Sequence, residues 1–150
     1  MNRARFRRLV NLYPPYLGAG VRVTHVSEDF REIRVEMPLR FYNRNYVGTH
    51  FGGSLYSMVD PFYMVMLIEI LGPEYVVWDK SAQIEFIKPG RGTMTARFVV
   101  EQERLEEIRR ATAGGGRILP AWTVEVRDGL DDVVARVVKT LYIKRRPRDQ

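Results

Sequence analysis

The stretch GGSLYSMVDPFYMVMLIEILGP, residues 52–73, decides the architecture. Its apolar side chains go nearly all the way round a helical wheel: Leu55, Met58, Val59, Phe62, Met64, Val65, Met66, Leu67, Ile68, Ile70 and Leu71. A helix that is apolar on every side has to be buried on every side. Gly72-Pro73 is a strong stop signal, so a helix is predicted over 53–71. In a chain of 150 residues, only a sheet wrapped around that helix, alone or with a partner subunit, can cover it.

The flanking patterns supply such a sheet. Upstream, Phe6, Leu9, Val10 and Leu12 have helical spacing over 3–12, and Tyr13-Pro14-Pro15 ends that helix. A strand follows over 21–27, with His25 on the parity of Val21 and Val23 and so read as a packed histidine. Residues 31–37 alternate Ile33, Val35 and Met37 against Glu32, Arg34 and Glu36, the mark of a half-buried antiparallel strand. Downstream, 76–88, 93–101, 122–127 and 133–143 read as strands, punctuated by Pro89-Gly90, the glycine-rich loop 112–116 and Asp128-Gly129. Residues 103–111 fit a short helix or an extended strand end. The order is helix, two strands, buried helix, four strands. This predicts an α+β hotdog fold, an antiparallel sheet of about six strands around one long helix. The chain reads as a single domain over 1–150, with an N-terminal helix 3–12, a core 16–144 and a basic tail 145–150.

Composition narrows the chemistry. The hydrophobic fraction of 45% is ordinary for a globular protein. The absence of cysteine excludes disulfides, thiolate zinc sites and cysteine nucleophiles, and two histidines offer no metal-ligand spacing. The net charge of +6 comes almost entirely from arginine, much of it near the ends, at Arg3, Arg5, Arg7 and Arg8 and over 144–148. Those ends are either solvated tails or a means of attracting a polyanion, whether nucleic acid or the phosphates of a coenzyme A-type ligand. No aromatic stacking pattern or helix-turn-helix signature supports nucleic acid. The longest apolar run, 62–68, is far short of the roughly 20 residues that span a bilayer. No signal-peptide pattern follows the basic start. A cytoplasmic protein with neither a membrane nor a nucleic-acid partner is the expectation.

The loop entering the helix carries the candidate chemistry. Gly52-Gly53 opens it, and paired glycines at a helix start expose N–H groups at the positive end of the dipole, where a developing oxyanion can be held. Asp60 follows seven positions after Gly53, a carboxylate in apolar surroundings that is costly unless paired or used. Oxyanion donors beside a buried acid suggest acyl transfer. The alternative for Asp60 is a helix cap, because Asp60-Pro61 also reads as an N-cap followed by proline at the first helical position. Seven residues of helix separate Gly53 and Asp60 by ~10 Å along one face. That is too far for both to serve one carbonyl, so two antiparallel copies of the helix, each lending half a site, are predicted: a homodimer with two shared sites. Ser54 and Ser57 have no histidine–acid partner at recognisable spacing, which argues against a serine hydrolase. Tyr56, Tyr63 and the methionines Met58, Met64 and Met66 pack the core or the dimer, or line an acyl tunnel. Arg91, after Pro89-Gly90, either meets coenzyme A phosphates or is an exposed turn charge.

Asn45, Gly48, Gly52-Gly53 and Asp60, with Ile84-Glu85-Phe86-Ile87-Lys88-Pro89-Gly90, resemble the hotdog-fold thioesterase superfamily over roughly 16–144. The pattern is most similar to the phenylacetate-degradation type of acyl-CoA thioesterase and to a less characterised bacterial branch. The resemblance implies an acyl-CoA hydrolase, dimeric or tetrameric, with no cofactor apart from the coenzyme A of its substrate. It implies that Asp60 is general base or nucleophile and that the Gly53 N–H polarises the thioester carbonyl. It further implies that Asn45 places the water or the acid and that His50 orients the thioester. Gly48, Gly52, Ser54, Tyr56, Tyr63 and Arg91 are the expected substrate contacts. The family's histidine directly precedes the glycine pair, whereas Phe51 stands there in this chain and His50 lies one position earlier, a shift that would turn the imidazole away. Two rival readings follow: an acyl-binding protein without hydrolysis, favoured by Phe51, and a nucleic-acid or acidic-membrane binder using the basic ends. A hotdog dehydratase would need a histidine placed for it.

Overall fold

Alternation in the second half of the chain builds strands long enough to wrap a helix. In the computed structural model, which describes residues 1–147, the longest is β7, Val133–Arg145, whose odd-numbered residues from Ala135 to Ile143 are buried in turn. The elements before it are α1 (Arg3–Asn11), α2 (Pro14–Ala19), β1 (Arg22–Val26), β2 (Glu32–Met37), α3 (Gly52–Ser57) and α4 (Phe62–Leu71). Then come β3 (Tyr75–Phe86), β4 (Met94–Val99), α5 (Gln102–Thr112), β5 (Arg117–Ile118) and β6 (Ala121–Arg127). The sheet is antiparallel throughout, in the order β1-β2-β4-β6-β7-β3, with two-residue β5 paired to β7. This is the hotdog fold, with seven strands where about six were expected.

The concave face packs on α4 through aromatic side chains. Phe62 meets Phe98 at 4.9 Å between ring centroids, and Tyr63 stacks on Trp122 at 5.3 Å. Tyr16 of α2 stacks on Phe62 from the other side at 5.8 Å. Burying each such side chain contributes roughly 1.5–3 kcal/mol, and together they fix α4 against the sheet. Although 52–71 is long and apolar enough by composition to cross a membrane, it is the core helix of this domain.

Several elements differ from the sequence reading. Pro14 and Pro15 end one helix and also start another. Proline at the first helical positions needs no N–H partner, so α2 begins at Pro14. A bulge between Val23 and His25 shifts the register against β2, so Val26 turns inward and His25 is exposed rather than packed. Residues 103–111 are helical, because Leu105, Ile108 and Thr112 form one buried face of α5. The tail expected over 145–150 is partly strand, since β7 runs to Arg145 and pairs there with Tyr75, while residues 148–150 lie outside the described residues.

The predicted helix over 53–71 is two pieces. Pro61 cannot donate to the carbonyl four residues back, and its ring crowds that turn. The Val59 N–H therefore bonds three back, to the Tyr56 carbonyl at 2.9 Å, and α3 ends before α4 begins. Asp60 sits in the break.

β3 is an edge strand of 12 residues paired only with β7, and most of its residues are exposed or half-exposed. Trp78 stacks flat on Tyr142 at 4.0 Å yet remains 45% exposed, and Phe86 is 55% exposed. A long apolar edge with a free row of backbone groups is a pairing surface.

Candidate active site

The start of α3 is aimed by the loop before it. Asn43 is buried and ties that loop down, donating from Nδ2 to the carbonyls of Ala19 and Pro38 and accepting from the Arg40 N–H. Asn45 does the same for the tip: Oδ1 accepts from the Val47 and Thr49 N–H groups, and Nδ2 donates to Thr49 Oγ1 at 2.8 Å and to the His50 carbonyl. Gly48 supplies the left-handed turn between them, φ 85°. The Asn45 amide is thus occupied by its own loop.

His50 is buried, and its Nε2–H donates to the Gly92 carbonyl at 2.7 Å, while its backbone N–H bonds the Gly90 carbonyl. Desolvation lowers its pKa below the ordinary histidine value, so the ring is neutral and holds the turn between β3 and β4. Arg91, expected to touch substrate, is exposed on that same turn. The neighbouring Phe51 takes the N-cap position of α3, with its ring over Gly53. A Cβ on Gly53 would stand 2.6 Å from Phe51 Cε1, and one on Gly52 would stand 3.0 Å from Phe86 Cζ. The glycine pair is thus sandwiched between two rings. The Gly52 and Gly53 N–H groups have no acceptor among the described residues. An open groove of about 410 Å³ runs from here between Val47, His50, Gly52, Leu55, Phe86 and Ile87.

Asp60 is not a helix cap. Pro61 occupies the N-cap position of α4 and receives no side-chain capping bond. The Asp60 carboxylate turns instead to Tyr56 and to a residue the sequence reading missed, Lys139 on β7. Tyr56 Oη donates to Asp60 Oδ1 at 2.9 Å, and Lys139 Nζ donates to the same oxygen at 3.1 Å. Lys139 Nζ is also 3.1 Å from Asp79 Oδ1 of β3, off the hydrogen-bond direction, and 3.3 Å from Tyr56 Oη. Asp60 Oδ2 has no partner among the described residues, and the side chain is 51% exposed while that of Lys139 is 0% exposed.

The charges in this cluster hold one another. Desolvation opposes the Lys139 ammonium, but the Asp79 charge and the contacts from Tyr56, Asp60 and Asp79 outweigh it, leaving its pKa raised. Burial raises the Asp79 pKa against the pull of Lys139. Tyr56 is raised chiefly by burial, and Tyr16, whose buried hydroxyl has no partner among the described residues, is raised by burial and then by Asp60.

The remaining expected contacts separate from the cluster. Tyr63 lies in the core against Phe98 and Trp122, where burial pushes its pKa up to about 12. Ser54 is buried in α3. A signal for Lys139 was present in the sequence. On the alternation of Ala135, Val137, Leu141 and Ile143, position 139 faces the core, and lysine is almost never buried unpaired.

No curated protein matches the chain. Among solved structures, it is similar to a thioesterase candidate of Pseudomonas aeruginosa, at TM-score 0.84 and 16% identity over 97% of each chain. It is similar also to a Haemophilus influenzae thioesterase, at TM-score 0.72 and 14% identity over 100% of this chain and 95% of that one. A third, a variant of a second Pseudomonas aeruginosa thioesterase, matches at TM-score 0.71 and 10% identity over 94% and 93%. Identities this low carry the fold alone. A family model described as "Domain of unknown function (DUF4442)" matches residues 2–143, and the chain belongs to that family.

Proposed function

We propose that the protein hydrolyses acyl thioesters, with acyl-coenzyme A as the substrate class. The observation that carries this reading is Asp60 itself: a carboxylate at a helix break, held through Oδ1 by two donors and open at Oδ2. The unpaired Gly53 N–H, at the start of α3, is a suitable oxyanion donor. The groove between Val47 and Phe86 has the apolar lining a pantetheine arm or acyl chain needs.

The proposed site is shared. One helix carries Gly53 and Asp60 at separate positions, so Asp60 of one copy works with Gly53 of another across a two-fold axis. The unpaired edge of β3, with Trp78 and Phe86 exposed, supports such an assembly as a homodimer, which could pair further into a tetramer. In the general-base form, Asp60 Oδ2 takes a proton from water as the hydroxide adds to the carbonyl carbon. The oxyanion rests on the Gly53 N–H. The thiolate then leaves and recovers that proton from Asp60. In the nucleophilic form, Oδ2 itself attacks the carbonyl carbon, the C–S bond breaks and the thiolate leaves to take a proton from solvent. Water then cleaves the resulting anhydride to free the acid and restore Asp60.

A second reading is an acyl-binding protein without hydrolysis. It is favoured by Phe51, whose ring covers Gly53, and by the commitment of His50 to Gly92. Assay of the wild type and Asp60→Asn against phenylacetyl-, benzoyl-, hexanoyl- and palmitoyl-CoA separates the two. Hydrolysis that Asp60→Asn abolishes supports the enzyme. Tight acyl-CoA binding without turnover in either protein supports the binder.

A further inference from the structure

We infer that Lys139 is a positioning residue for Asp60: anchored by Asp79, it joins Tyr56 in fixing Oδ1, so that Oδ2 alone is presented for reaction. The inference rests on the thioesterase reading and names residues that the loop motif does not contain.

Lys139 stands in a row of core positions where valine or leucine would pack without cost. An ammonium there loses its hydration and is tolerated only because charged and polar partners surround it. Those partners converge from three elements: Tyr56 from α3, Asp79 from β3, and Asp60 from the break before α4. Tyr16 of α2 adds a buried hydroxyl that responds to Asp60. Asp79 holds the ammonium from the strand side, and Tyr56 and Lys139 then meet at one oxygen of Asp60 from different directions. A carboxylate free to rotate offers both oxygens; one held in this way offers only the second.

This arrangement has a signature that packing alone would lack. Removing the ammonium leaves two carboxylates facing each other without a counter-charge. Neutralising Asp79 instead leaves the ammonium entirely to Asp60. The two changes therefore push the ionisation that limits turnover in opposite directions.

The test uses the full chain with phenylacetyl- and hexanoyl-CoA as probes, comparing wild type, Lys139→Met, Asp79→Asn and Asp60→Asn. Lys139→Met is expected to lower kcat at least tenfold with KM changed less than about threefold, and to move the acid limb of the pH–kcat profile up by about one unit or more. Asp79→Asn, nearly isosteric and the safer variant for folding, is expected to move that limb down. The Asp60 carboxyl is followed in parallel by 13C NMR, which does not depend on turnover. Opposite displacements in the two variants support the inference. Coincident profiles and coincident NMR titrations in all folded variants overturn it. Activity retained by Asp60→Asn would instead overturn the catalytic role of Asp60, and a wild type without turnover would overturn the hydrolase reading; in either case the NMR arm would still decide the role of Lys139.

Discussion

Tyr56 and Asp60 are joined across the end of α3: the phenol donates to Oδ1 at 2.9 Å, spanning the break that Pro61 forces. Spacing of four residues would put the two on one face of an unbroken helix. The break lets the carboxylate reach β7 as well, so one oxygen is held by a helix and a strand together. Tyr56→Phe removes one of those donors and keeps the ring. The expected outcome is a fall in kcat of roughly tenfold, with stability changed by about 1 kcal/mol, read from steady-state kinetics and urea unfolding.

Sharing of the site predicts complementation. Asp60→Asn and Gly53→Pro homodimers, the second lacking the amide N–H, should each be nearly inactive. Unfolded together and refolded, they give heterodimers in which one of two sites has an intact Asp60 and an intact Gly53. Recovered activity should approach about a quarter of wild type by symmetry. A mixture no more active than its components would mean that each chain acts alone.

The Gly53→Pro protein should still fold, because proline in the first turn of α3 gives up no bonded N–H. Its Cβ would clash only with the Phe51 ring, an exposed side chain that can swing aside. Thermal melting should place it within a few degrees of wild type, and Phe51→Ala in the same background should remove any difference.

His50 makes stability depend on pH. Its folded pKa is lowered by desolvation, so below the ordinary value of about 6.5 the unfolded chain binds a proton the folded one refuses. Stability is therefore full above that value and is lost as pH falls from it through the lowered folded value. Melting temperature recorded between pH 8 and 5 should decline for the wild type, and less steeply for His50→Gln.

The edge of β3 predicts the assembly state. Sedimentation should give a species of at least twice the 17.5 kDa chain mass. Trp78→Lys, placing a charge at an exposed position of that strand, should weaken association by roughly tenfold or more, in line with the loss of an apolar interface residue. A wild type that sediments as a monomer at micromolar concentration would remove the basis for a shared site.

Most of the architecture was legible in periodicity. The all-round apolar character of 53–71 and the alternation of 31–37, 122–127 and 133–143 follow from burial, which is read residue by residue. Pairing order, the bulge that turns His25 outward and the second helix at Pro14 depend on neighbours distant in sequence. The same division runs through the site. Gly52-Gly53 and Asp60 stood out because they lie in one short stretch. Lys139 is 79 residues from Asp60, and Asp79 lies on another strand. Strand parity could place Lys139 inside, but Asp79 shares the parity of Ser81, Gln83 and Glu85 and is turned by the bulge that follows it, so only folding could bring the two to one carboxylate. The loop asparagine and histidine show the converse: their identity was visible, yet a bond within the loop to Thr49 and a tertiary one to Gly92 decided where their polar atoms went. Local sequence thus determined which residues would be buried. Which buried charges would meet was settled by the three-dimensional path of the chain, because an ion pair needs proximity in space and leaves no periodic trace.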